Sequence, residues 1–303
     1  MNNQNLITRI SNELGNQMFM YASTLGMSMK IKKTLLLDNE SAYLSHKNIS
    51  KYGLNNFNIT SKIAPDNLKF LGTSGYFKRK FLKNIDAFSF NKNFYIEKKN
   101  KHKLTEYNND FINKNFANNV FFEGYFETQN YFTEIKSIIL NEFNFIDKNK
   151  YIESPFFNEL NKSNSISICL RQNRFSEGKG KIDNINNLKN SDTFTKEQII
   201  YINKSINFFK SKIDNPIFYL WSNNSNIDLT LFIEKVKVIN HNKNFYSVID
   251  KRCLDLFLIS ICKHHIVIPS SFNWWGAWLS QNNNKIILRP SNKFFSLFKV
   301  NNK

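Results

Sequence analysis

Long apolar runs are missing from this chain of 303 residues. No stretch of about 20 apolar residues occurs, so no transmembrane helix is expected. The N-terminal MNNQNLITRISNELG lacks an apolar h-region, and no secretory signal is expected either. Cysteine is scarce. Cys169, Cys253 and Cys262 form no zinc-binding spacing and fit a reducing compartment, which points to the cytoplasm. Internal repeats and Pro/Gly/Ser-rich linkers are absent. So are G-x-G-x-x-G and G-x-x-x-x-G-K-[ST], which argues against dinucleotide dehydrogenases and P-loop NTPases. H-E-x-x-H and G-x-S-x-G do not occur. Nor does D-x-D, the usual carboxylate pair of a metal-dependent sugar transferase. No metal site and no cofactor are expected.

Acidic residues are also in short supply, 24 against 42 Lys and Arg, for a net charge of +18. Asn, Lys and Ile abound throughout, as in an AT-rich genome, and composition alone could account for the charge. The functional reading is an anionic partner: nucleotide-sugar phosphates, an anionic membrane surface or nucleic acid. No nucleic-acid-binding motif accompanies the charge, so a nucleic-acid partner is not expected. The segment YFKRKFLKNIDAFSFNKNFY (76–95) mixes cations with aromatics. That suits a membrane-interfacial surface, and peripheral contact with the inner membrane stays open. The plainer expectation is a solvated face with its aromatics buried.

What is present is an α/β pattern. Leu6–Ile10, Gln17–Lys30 and Thr34–Asp38 read as strand, helix and strand, followed by irregular aromatic-rich sequence. The character changes near residue 160. Strands are expected at 165–170, 217–221, 236–239, 264–269 and 285–290, with helices at about 195–212, 226–235, 248–262 and 272–281. Such alternation specifies a doubly wound, mostly parallel sheet. Two Rossmann-like domains facing across a cleft are expected, over 1–160 and 161–303. Ligands of open α/β sheets sit beyond the C-terminal strand ends, and those ends carry the polar loops NELGNQ, RQNRFSEGKGK, SNNSN and PSSFN.

Each loop has a functional and a plain reading. Arg171 follows a buried strand, with Arg174, Lys179 and Lys181 nearby. A guanidinium there matches phosphate oxygens through its fixed fork, although a basic loop can simply be solvated. Ser270-Ser271 open a helix whose free N–H groups could receive an anion; the plain reading is helix capping alone. Trp274, Trp275 and Trp278 read as core. Asp255, on a mostly apolar helix, could accept N–H donors from a base such as guanine, or pair internally with a residue such as Arg252. His264 and His265 read as structural. Asn12, Glu13, Gly15, Asn16 and Gln17, between strand and helix, have the chemistry of a loop that holds a polar ligand.

At these residues the sequence resembles the bacterial α-1,2-fucosyltransferases of glycosyltransferase family 11. ELGNQMFMYA (13–22) is similar to the family's G-G-L-G-N-Q-M-F-Q-Y-A, and GYFETQNYF (124–132) to G-Y-F-Q-x-x-x-Y-F. DLFLISICKHHIVIPSSFNWWGAWL (255–279) resembles D-M-x-L-M-S-x-C-K-x-x-I-I-x-N-S-S-F-S-W-W-G-A-W-L nearly throughout. The resemblance implies a GT-B-like fold with an acceptor-side N-terminal domain and a C-terminal domain holding GDP-fucose. It implies inverting, metal-independent transfer, with a galactose-containing glycan or lipid-linked oligosaccharide as acceptor in O-antigen or other surface-polysaccharide synthesis. Arg171 then falls on the diphosphate, Asp255 on guanine and Ser271 on phosphate. Ser270, Phe272 and Asn224 join the donor site, and Asn16, Gln17 and Glu127 the acceptor side.

Two motifs depart from the family. H-x-R-R-G-D-Y is here Cys169-Leu170-Arg171-Gln172-Asn173-Arg174-Phe175, and LWSNN (220–224) stands where F-S-D-D is usual. These departures leave open another GDP-6-deoxyhexose donor such as colitose, or a sugar-nucleotide-binding protein with impaired catalysis. Glu13, where the family has Gly, is the candidate base for the acceptor proton. Glu177 is the second candidate, and helix capping is the alternative role for Glu13.

Overall fold

The computed structural model describes residues 4–43, 52–100, 105–177, 181, 184–224, 226–240, 249–297 and 299. The chain divides into two compact units between Ile146 and Asp147. In the first, the expected strand–helix–strand forms as β1 (Asn5–Arg9), α1 (Leu14–Lys30) and β2 (Thr34–Asp38). The aromatic-rich stretch that follows is more ordered than its sequence suggests. It supplies β3 (Lys62–Ile63), α2 (Gly72–Asp86), β4 (Lys92–Ile96) and β5 (Phe116–Glu123). The short helix α3 (Lys136–Glu142) comes after them. The sheet is parallel, in the order β3-β2-β1-β5-β4. β1 is central because Leu6 and Ile7 are apolar enough to be buried on both faces. Ile7, Ala64, Phe70, Phe94 and Phe121 form one core cluster of this unit.

The second unit opens with α4 (Lys148–Tyr151) and α5 (Phe157–Lys162), short helices that precede β6 (Asn164–Leu170). Next come α6 (Ile185–Lys210), β7 (Pro216–Ser222) and β8 (Val236–Val238). The unit ends with α7 (Lys251–Ile261), β9 (His264–Ile266), α8 (Ser271–Leu279) and β10 (Ile287–Leu288). The change of sequence character near residue 160 coincides with the approach to β6. The unit itself begins earlier, because Tyr151 and Phe157 place their rings 5.6 and 6.0 Å from that of Phe257 on α7. Its parallel sheet has the order β10-β9-β6-β7-β8. The two parallel sheets, each flanked by helices, make a GT-B-like pair of Rossmann-like units.

One expected helix does not form. Residues 226–235 hold only a 3-10 turn at Leu229–Leu231. Asp228 accepts hydrogen bonds from the Thr230 N–H and hydroxyl at 3.0 and 2.6 Å, a local arrangement that competes with helix. Asn203 on α6 then takes the backbone of Leu231 and Ile233 at 2.8 and 3.2 Å. Conversely, α6 starts ten residues before the expected 195, where the Asn184 side chain caps it by accepting from Asn187 N. The expected helix over 248–262 is observed as α7, and its first expected residue, 248, lies outside the described residues.

His264 and His265 are structural, as their sequence setting suggests. His264 Nδ1 accepts from Ile286 N at 3.0 Å, and His265 Nδ1 meets Ser167 Oγ at 2.8 Å. Burial pushes the His265 imidazole down to about 3. Trp275 is fully buried, while Trp274 and Trp278 are partly exposed and stack on each other. The three cysteines are free and buried.

In α1, Gly26 allows a backbone contact that no side chain would permit. A Cβ built there falls 2.1 Å from the Tyr131 carbonyl oxygen. Ala in place of Gly normally favours a helix interior by about 0.5–1 kcal/mol. Here the clash dominates, and Gly26→Ala should lower stability by about 1–3 kcal/mol in urea unfolding. A stability gain instead would mean that the Tyr131 turn yields without cost.

Candidate functional site

In the second sheet the chain runs from β6 outward to β7 and β8, then returns to the other side of β6 for β9 and β10. The crevice at the C-terminal ends of β6 and β9 is therefore a topological switch point, the preferred ligand position in such sheets. Arg171 follows β6 and the Pro269–Ser271 turn follows β9, so the structure brings these expected site residues together.

Past its last strand residue, β6 is held by side chains rather than by neighbouring strands. The fully buried Gln198 on α6 accepts from Arg171 N at 3.1 Å and donates to Arg171 O at 2.8 Å. Asn223 repeats the pattern one residue on, accepting from Gln172 N at 2.8 Å and donating to Gln172 O at 2.9 Å. Both amides act as short artificial strands that satisfy backbone groups the sheet no longer reaches. Neither role is visible in the sequence, where Gln198 is one polar residue inside a long helix.

The following turn is also bracketed. Asn173 has φ 58°, a left-handed conformation that Asn tolerates and that the family motif meets with Gly. Ser191 Oγ accepts from the N–H groups of Phe175 and Ser176 at 3.0 and 3.2 Å. Arg174 donates to the Pro269 carbonyl at 2.8 Å and lies 5.2 Å from the centroid of the Phe194 ring. Arg174 thus ties the β6 loop to the β9 turn across the switch point. Lys181 is exposed, and Lys179 lies outside the described residues.

Arg171 itself extends its fork to a carboxylate. Its Nη2 is 2.5 Å from Glu177 Oε2 and its Nε is 3.4 Å from Glu177 Oε1, and Asn223 Nδ2 also reaches that oxygen at 3.3 Å. The pair is substantially exposed, so its net strength is modest, about 0–1 kcal/mol. A guanidinium held at a strand end and already engaging two oxygens is suited to an anion with the same spacing.

The β9–α8 turn supplies the second half. Ser270 caps α8, its Oγ accepting from Asn273 N at 3.5 Å. The buried Asn273 accepts from Ile268 N at 2.7 Å and donates to Cys169 Sγ at 3.0 Å. Burial pushes the Cys169 thiol far up, so it stays protonated where the family has His. Ser271 and Phe272 begin α8 and are partly exposed. Asn224 accepts from Asn226 N at 3.0 Å, closing a turn beside Ser222.

Asp255 on α7 keeps a rim of solvent access, yet burial pushes its carboxyl up to about 7. Lys251 acts in the opposite direction, as does the Trp221 indole, whose buried N–H has no acceptor at hydrogen-bonding geometry among the described residues. Arg252, the internal partner considered from the sequence, closes its fork on Asp250 at 2.7 and 3.1 Å.

In the first unit the equivalent switch point lies between β1 and β5. Asn12, at φ 61° where the family motif has Gly, donates to the Tyr125 hydroxyl across it. Gln17 is fully buried, donating to Asn12 O at 2.6 Å and accepting from Gly53 N at 2.8 Å. It shapes the loop from beneath. Glu13 is exposed and precedes α1 without a side-chain capping bond, while its carbonyl accepts from Asn16 N and Gln17 N. Glu127 is partly exposed and adds to the rise in the Tyr125 phenol that burial begins. Glu97 fixes the turn, accepting from Tyr125 N and Phe126 N, both at 2.9 Å. Sequence reasoning passed over Tyr125 and Glu97, although Tyr125 lies inside a quoted motif. Among the described residues no cluster of three or more His, Cys, Asp or Glu could hold a metal ion.

A model of the family described as Glycosyl transferase family 11 matches residues 2–301. The chain belongs to glycosyltransferase family 11. An α-1,2-colitosyltransferase of Escherichia coli is 25% identical over 94% of this chain and 91% of its own length. The O-antigen biosynthesis glycosyltransferase WbnK of Escherichia coli is likewise 25% identical, over 94% and 93%. Among solved structures, the NodZ α-1,6-fucosyltransferase soaked with GDP-fucose has a TM-score of 0.54 at 12% identity, covering 91% of this chain and 92% of that one. A mutant of Arabidopsis thaliana FUT1 in complex with GDP has a TM-score of 0.51 at 13% identity, covering 96% and 71%. At such identities the likeness establishes the fold of this family 11 chain.

The raised Asp255 carboxyl has a thermodynamic signature. As pH rises past about 4 the unfolded chain releases this proton, while the folded chain keeps it to about 7. Its contribution to stability therefore falls between pH 4 and 7 and is constant above. Asp255→Asn should gain on the wild type across that window, reaching a lead on the order of 2–4 kcal/mol at pH 8. Urea unfolding of both proteins at pH 5 and pH 8 measures it, and equal pH profiles would mean that Asp255 ionises as freely as in water.

Proposed function

We propose that this family 11 chain is an inverting, metal-independent transferase that moves L-fucose from GDP-fucose to a sugar hydroxyl, O-2 of galactose. The acceptor is a galactose-containing glycan or lipid-linked oligosaccharide, and the work is done in the cytoplasm during synthesis of O-antigen or another surface polysaccharide. The observation that carries the reading is the position of Arg171 directly after β6, next to the strand β9 whose following turn starts α8. The Arg171 guanidinium and the α8 N-terminus are donors suited to the charge that develops on a departing diphosphate, which is the electrostatic task a metal performs elsewhere. Asp255 supports the choice of guanine, since a carboxylate can accept two N–H donors from that base and neither adenine nor uracil offers the pair. The GDP-fucose held by NodZ, a protein of the same fold, is consistent with it.

A second reading keeps the chemistry and changes the sugar. The colitosyltransferase relative favours GDP-colitose, as do the amides Gln172, Asn223 and Asn224 where the family motifs carry charged groups. Incubation with GDP-fucose, GDP-colitose and a galactoside separates the two. Nucleotide-sugar binding without product from either would overturn the enzyme reading and leave a binding protein.

With Arg171 on the diphosphate, Arg171→Ala should lower transfer by roughly 10²-fold or more, assayed in excess EDTA. Arg171→Lys should recover little, because a point charge lacks the fork. Activity within a few-fold of wild type in a folded Ala variant would remove Arg171 from the site.

The two candidate bases differ in what they touch. Glu13→Gln should cut turnover by about 10²–10⁴-fold while leaving GDP affinity nearly unchanged. Glu177→Gln should instead tighten GDP binding by about two- to fivefold, by relieving Arg171 of its carboxylate. Normal turnover in Glu13→Gln with a collapse in Glu177→Gln would reverse the assignment.

A further inference from the structure

Helix α2 turns Arg79 and Lys83 inward and its aromatics outward. Gly75 packs so closely that an added Cβ would lie 2.3 Å from the Phe70 carbonyl carbon. Arg79 and Lys83 converge on Glu123 at the end of β5. Arg79 reaches it at 2.6 and 2.5 Å and Lys83 at 2.6 Å. Burial would raise the Glu123 carboxyl, but the two cations outweigh it and hold it below its ordinary value. Lys83 also lies 5.2 Å from the centroid of the Phe94 ring.

The opposite side is apolar. Tyr76, Phe77 and Phe81 are 58%, 61% and 63% exposed, Ile85 is exposed beside them, and the chain beyond the helix adds Phe88 at 94% and Phe90 at 80%. The expectation that this segment buries its aromatics holds only for Phe94 and Tyr95, on β4. At about 100° per residue, Tyr76, Phe77, Phe81 and Ile85 cover one half of the helix circumference. Exposed Lys80 lies within that half and exposed Lys78 at its margin, the latter donating to the Asn67 carbonyl. A helix serving only the core would turn its apolar stripe inward. Continuous exposed aromatics of this extent mark an interaction surface.

We infer that the outer face of α2, with Phe88 and Phe90, docks the protein on an anionic lipid surface. The rings enter the boundary between headgroups and acyl chains while Lys78 and Lys80 meet lipid phosphates. Charge decides between lipid and a second copy of the chain. A two-fold partner would present the same basic face in a molecule of net charge +18, whereas an anionic bilayer supplies the opposite sign. The inference is independent of which sugar is transferred.

The test is co-sedimentation of the full chain with vesicles of phosphatidylcholine, with and without phosphatidylglycerol. Binding should require phosphatidylglycerol and weaken with added salt. The combined Phe77→Ser, Phe81→Ser and Phe88→Ser variant should lose about tenfold or more in partitioning, with an unchanged melting temperature, since all three side chains already face solvent. Lys80→Glu should lose about fivefold or more on the anionic vesicles. Wild-type partitioning by the triple variant would overturn the proposal. So would light scattering that finds a wild-type dimer which the triple variant converts to monomer.

Discussion

A parallel strand that outruns its neighbours still carries N–H and carbonyl groups that must be paired. At the end of β6 that requirement is met by two side-chain amides, Gln198 on the Arg171 backbone and Asn223 on the Gln172 backbone. Everything proposed for the donor site depends on this extension. It carries the backbone of Arg171 beyond the sheet without fraying, while the guanidinium pairs with Glu177 of the same loop. Ser191 and Arg174 then stiffen the turn that follows. Glu177 occupies the fork from the loop side through an exposed ion pair that an incoming anion can displace.

The departures from the family motifs acquire physical meaning in the same loops. Asn12 and Asn173 stand where the motifs have Gly, and both adopt positive φ, the conformation that Asn tolerates best after Gly. Cys169 replaces His, and Asn273 replaces Ser in the S-S-F-S-W-W block. The two new residues touch, Asn273 Nδ2 donating to Cys169 Sγ. Arg174, in place of Asp, takes on a structural tie to Pro269. The altered letters thus build a self-consistent loop.

Legibility from sequence followed the strength of local pattern. The strands of the second unit are continuous apolar runs bounded by polar loops, and their positions and the fold class could be read directly. That Arg171 follows a strand and that Ser270 and Ser271 open a helix was legible, because strand ends and helix starts are predictable places. The first unit was read only in part. β4 and α2 lie in Asn- and Lys-rich sequence whose helical face is reversed, so periodicity points the wrong way. The helix expected at 226–235 was lost to a local turn at Asp228 and to bonds from Asn203, the latter acting at a range that pattern does not encode. Gln198 and Tyr125 were missed for a related reason: their roles depend on a partner far away in the chain.

The three cysteines lie at positions 169, 253 and 262, all in the second unit. Each is buried, and burial raises each thiol well above its usual range. Only the thiolate reacts with alkylating agents or oxidants, so the folded chain offers no chemical handle at sulfur. Any labelling must wait for the second unit to open. The sulfur atoms therefore form an internal clock for the opening of that unit.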